Sequence, residues 1–97
     1  MIPSEILSAM RGRFAFHRLS GLEAATANYD EAGKHIRIDF FFAGTSEEVD
    51  FEELEAGTLG ELITDAWAGV NTIGFAVYFD APSAEKARLD PSRLYPA

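Results

Sequence analysis

Three alternate residues, His35, Arg37 and Asp39, put an imidazole, a guanidinium and a carboxylate within one short run of chain. In an extended segment such residues share a face, so they could form a polar cluster around a ligand or a reacting group. Alternation on a solvated strand produces the same spacing without any chemistry. The other histidine, His17, falls by parity opposite Phe14 and Phe16 and reads as a hydrogen-bonded structural residue. Nucleophilic catalysis needs a Ser, Thr or Cys beside a base that a third group orients, and no G-x-S-x-G elbow is present. Neither histidine lies in an H-x-H or H-x-x-x-H pair, and Gly57, Gly60 and Gly69 form no phosphate-cradling motif. The chain has no cysteine, which excludes disulfides, thiol catalysis and thiolate-bound zinc. No catalytic, metal-ligating or cofactor-binding residue is assigned, and no cofactor is expected. The inventory favours binding over catalysis.

Charge is unevenly placed. The net charge is −8, yet no Lys or Arg occurs from Ile38 through Glu85. All eight basic residues lie outside that stretch, against five acids. Its densest part is Glu47, Glu48, Asp50, Glu52, Glu53 and Glu55. This run lacks the calcium-loop pattern D-x-[DN]-x-[DN]-G. Carboxylates at a helix start are favoured by the macrodipole alone, but the same group could face cations on a partner. Clustered cations are missing, so nucleic acid is not an expected partner. A basic protein surface is the natural complement.

The elements that position these groups follow from periodicity. Ninety-seven residues at 47% hydrophobic suit one domain, 1–97. Met1 to Arg11 reads as a helix, with Pro3 near its start, Ile2, Ile6 and Met10 on one face, and Gly12 as its stop. Arg13 to Leu19 and Leu22 to Tyr29 read as strands separated by Ser20-Gly21. Asp30-Glu31-Ala32-Gly33 suits a tight hairpin loop with its last residue left-handed. Lys34 to Phe42 alternates Ile36, Ile38, Phe40 and Phe42 against His35, Arg37, Asp39 and Phe41, the pattern of a sheet with one buried and one wet face.

Thr45 with Glu48 and Thr58 with Glu61 match capping-box spacing, and Phe51, Leu54, Leu59, Leu62, Ile63, Ala66 and Trp67 recur helically. A helix over 47–67 is expected, kinked or broken near Gly57, with Trp67 in the core. Asn71 to Phe79 reads as a final strand, and the segment 80–97, with Pro82, Pro91 and Pro96, as an irregular C-terminal tail or one carrying a single short helical turn. The fold class is therefore α+β in the order α-β-β-β-α-β. The sheet should be four-stranded and mostly antiparallel, with both helices on one face. The opposite face, lined by His35, Arg37, Asp39, Phe41, Thr72, Gly74 and Tyr78, should be exposed.

The strand Ile36 to Phe42, Gly44, the Ser46-Glu47-Glu48 opening and Glu61-Leu62-Ile63-Thr64-Asp65 together resemble a group of small acidic bacterial α+β proteins. Some of these resemble immunity proteins of toxin systems. The resemblance implies a basic toxin as partner and carries over no site residue. With no signal-peptide pattern and no apolar run long enough to span a bilayer, a cytoplasmic protein without membrane partners is expected.

Three functions fit. The first is a non-enzymatic interaction module presenting Glu47 to Glu55 to a basic partner, with the immunity role as its concrete form. The second is a small ligand-binding domain or enzyme using His35, Arg37, Asp39, Phe41 and Tyr78. The third is a self-assembling structural protein pairing through its sheet, as a homodimer for instance.

Overall fold

The computed structural model describes residues 2–13, 21–43, 52 and 70–96. Strand β1, Leu22–Asp30, and strand β2, His35–Phe42, form an antiparallel hairpin running from Leu22 opposite Phe42 to Asp30 opposite His35. The loop between them closes as an Asx turn, the Ala32 N–H donating to Asp30 Oδ1 at 3.1 Å. The left-handed residue is Lys34, with φ of 51°, and not Gly33 as its composition suggests. Gly33 serves by close approach instead, since a Cβ there would lie 3.0 Å from Asp30 Oδ2.

A bulge at Glu23 interrupts the register between Leu22 and Ala24. Because two residues then oppose one, Leu22 and Ala24 reach opposite faces of the sheet despite their spacing of two. Strand β3, Thr72–Tyr78, pairs parallel with β2, His35 opposite Thr72 and Phe41 opposite Tyr78. Strand β4, Arg93–Tyr95, pairs antiparallel with β1, and the strand order is β3-β2-β1-β4. The β2 to β3 connection lies mostly outside the described residues.

The apolar row of β2 forms the main core. Ile36, Ile38 and Phe40 are fully buried, with Ala25 and Ala27 beside them and Ile73, Phe75 and Val77 of β3 packed partly over them. Helix α1, Ser4–Arg13, caps this face through Ile6 and Met10, with Ile2 buried beside them just before the helix begins. It runs past Gly12, and Arg11 ties it to the far end of the chain. Arg11 Nε donates to the Arg93 carbonyl at 2.8 Å and Nη2 to that of Pro91 at 3.1 Å.

Residues 80–96 hold more regular structure than the irregular tail or single helical turn expected there. They form helix α2, Ala81–Arg88, and strand β4. Pro82 sits in the first turn of α2, where its missing N–H has no partner to lose. Ala81, Ala84 and Ala87 add strong helix propensity. Ser83 Oγ donates to Asp80 Oδ2 at 2.7 Å, and the Ala84 N–H to the Asp80 carbonyl at 3.0 Å.

The described elements thus run α1-β1-β2-β3-α2-β4, an α+β domain in the expected order, but with different members. The expected strand Arg13 to Leu19 lies outside the described residues except for Arg13, which ends α1. The expected helix over 47–67, including Trp67, also lies outside them apart from Glu52, which is helical and exposed. Nor do the two described helices share a face. Helix α2 lies on the opposite side from α1, its Ala84 and Ala87 buried with Ala24 and Phe41. Small side chains on both surfaces let the helix come down onto Phe41, a contact that no apolar stripe announces.

Candidate functional site

The face expected to be wet is half roofed by α2, and the roof makes a cleft. Thr26, Asn28, Asp39, Phe41 and Tyr78 line it from the sheet, and Ser83, Lys86, Ala87 and Asp90 from α2 and the residues after it. Its volume is about 300 Å³, open on one side. A cavity of this size suits a small molecule.

Asp39 is the unusual member. It sits mid-strand in β2 with only 6% of its surface exposed, in a position where Asp has poor strand propensity. Its carboxylate accepts Arg37 Nε on Oδ1 at 2.9 Å, and Arg37 Nη2 and Asn28 Nδ2 on Oδ2 at 3.2 and 2.8 Å. The Arg37 guanidinium is half exposed and covers Asp39 in a two-pronged pair. That hydrogen bond, and then the Asp39 charge, raise the pKa of Arg37 above its ordinary value. Directly across the hairpin from Asp39 stands Thr26, 4% exposed. Its hydroxyl has no hydrogen-bond partner among the described residues.

One wall is aromatic. The rings of Phe41 and Tyr78 stack at 5.2 Å between centroids with 18° between planes, as their parallel register dictates. Phe41 was expected to be exposed and is instead buried beneath α2, while Tyr78 keeps 39% of its surface accessible. Asp39, expected on a solvated face, is buried as well.

His35 and Arg37 share this face but do not line the cleft. The His35 Nδ1 lies 2.7 Å from Thr72 Oγ1, and its ring rests on Gly74, where a Cβ would meet it at 3.2 Å. The expected sheet-face set therefore divides. Asp39, Phe41 and Tyr78 converge, Arg37 secures Asp39, and His35 is engaged at the start of the strand. Thr26, Asn28, Ser83 and Lys86 carried no signal of their own in the sequence. Thr26 and Asn28 could have been placed here by parity with Asp39, but Ser83 and Lys86 depend on the unforeseen helix. Of the acidic run, Glu47, Glu48, Asp50, Glu53 and Glu55 lie outside the described residues, and Glu52 is exposed.

No protein-family model matches this chain, and no curated protein matches it. What the site can do is therefore argued from its own groups. Among the described residues no cluster of three or more His, Asp or Glu side chains could hold a metal ion. No described helix is long and apolar enough to cross a membrane. The cleft combines a buried charge whose partners hold it still, hydroxyl and amide groups, and a stacked aromatic wall. Such a surface recognises a small polar molecule that has an apolar side.

Proposed function

We propose that this chain is a non-enzymatic, cytoplasmic binding domain whose site is the cleft between the sheet and α2. The observation that carries the reading is the convergence of buried Asp39, a Thr26 hydroxyl without a partner among the described residues and the Phe41–Tyr78 stack on one open cavity. A polar side chain buried mid-sheet costs stability unless it is hydrogen-bonded, and the Thr26 hydroxyl has no such bond among the described residues. A fragment screen followed by amide chemical shifts of the full chain tests this. Hits should perturb Thr26, Asn28, Phe41, Tyr78 and Lys86 together. Tyr78→Ala should weaken them about three- to tenfold, an aromatic contact being worth ~0.5–1.5 kcal/mol. Hits scattered over other surfaces, or none, would remove the reading.

A second reading rests on charge: an acidic interaction module, in its concrete form an immunity protein holding a basic toxin. The base-free stretch from Ile38 to Glu85 supports it, as does the exposure of Glu52. Reversing Glu48, Asp50 and Glu52 to Lys should weaken a captured basic partner by roughly tenfold or more, most strongly at low salt. Unchanged affinity at low salt would leave no role for this surface.

A further inference from the structure

Resting on the cleft as a binding site, the geometry points to its ligand class: a neutral polyhydroxylated molecule, a sugar unit, set with a hydroxyl between Thr26 and Asp39 and a C–H face on Tyr78.

Thr26 is 4% exposed, and a hydroxyl on so buried a residue with no partner among the described residues is a standing cost unless something outside the chain answers it. Thr26 lines the cleft, so a bound group can reach it. Among the described residues Asp39, its cross-strand neighbour, accepts two hydrogen bonds on Oδ2 but only one on Oδ1. A carboxylate oxygen takes two. The floor of the cleft therefore offers one free carboxylate lone pair beside a hydroxyl that can donate or accept. A ligand hydroxyl matches both at once, giving its proton to Asp39 Oδ1 and accepting from Thr26.

Charge removes the competing classes. Arg37 already neutralises Asp39, so an anionic ligand would meet Asp90 and a cationic one Lys86. An uncharged ligand avoids both repulsions. More hydroxyls can bond to Ser83, Asn28 and Lys86, and the exposed Tyr78 ring offers an apolar platform to one side of a pyranose.

The test titrates the full chain with methyl glucoside and methyl galactoside, then with glucosamine and gluconate as cationic and anionic counterparts. A neutral glycoside should shift the amides of Thr26, Asp39, Tyr78 and Lys86, and both charged probes should bind roughly tenfold more weakly. Thr26→Val should lose at least about tenfold in glycoside affinity while melting no lower than the parent, because the hydroxyl has no partner to lose among the described residues. A Thr26→Val protein that melts well below the parent overturns the inference, as does a charged probe binding better than either glycoside. If benzamide fragments shift the cleft and glycosides do not, the hydroxyl class falls while the cleft survives. If neither does, ordered water alone answers Thr26 and both readings fall together.

Discussion

Phe40→Ala is expected to lower the unfolding free energy by about 3–5 kcal/mol. Phe40 is wholly buried at the centre of β2, its ring edge-on to Phe75 at 6.3 Å and beside Phe42 at 6.4 Å. The residue opposite it on β1 is Ala25, and the next inward-facing residue of β1 is Ala27. Two alanines cannot expand to fill the void that a lost phenyl ring leaves, and the strand backbones on either side hold the space open. The cost is therefore the transfer term plus most of the cavity term. A domain of this length has only ~5–15 kcal/mol in total, so the variant should unfold at a much lower urea midpoint with an unchanged slope. Tyr78→Ala, at a partly exposed ring, should cost far less. A small loss at Phe40 would mean that the main core lies elsewhere.

What the chain reveals before folding is uneven, and the unevenness has causes. The row Ile36, Ile38, Phe40 and Phe42 announces its strand because period-two alternation of large apolar residues has few other uses. The same alternation places Asp39, Phe41 and, through parallel pairing, Tyr78 on one face. It cannot say whether that face is wet. The answer lies in Ala84 and Ala87, which are too small to register as an apolar stripe yet small enough to seat α2 against Phe41. Pro82, counted with Pro91 and Pro96 toward an irregular tail, sits in the first turn of a helix here, and the two meanings differ only in where that turn falls. The Glu23 bulge is similarly silent. It sends Ala24 beneath α2 and Leu22 into the other core, a choice made by packing and not by local propensity. The acidic run was legible as composition, but its placement depends on how the chain between β2 and β3 packs.

Arg37→Ala should cost about 2 kcal/mol, more than a surface ion pair and less than a fully buried one. Arg37 is 51% exposed in its side chain and Asp39 only 9%. Removing the guanidinium leaves a buried carboxylate with the Asn28 amide as its one remaining partner among the described residues. Removing the carboxylate instead frees a guanidinium that water already reaches. The asymmetry predicts that Asp39→Val, which also installs a good strand former, costs less than about 1 kcal/mol. The double variant Arg37→Ala with Asp39→Val should come back to within ~1 kcal/mol of the parent, giving a coupling of ~1–2 kcal/mol in the cycle. Denaturant unfolding of the four proteins measures every term. If that pattern holds, the Arg37–Asp39 pair is not what keeps the sheet folded, and the carboxylate under α2 needs the cleft to explain it. An Asp39→Val loss as large as that of Arg37→Ala would make Asp39 a structural residue and take away the main support for a ligand site there.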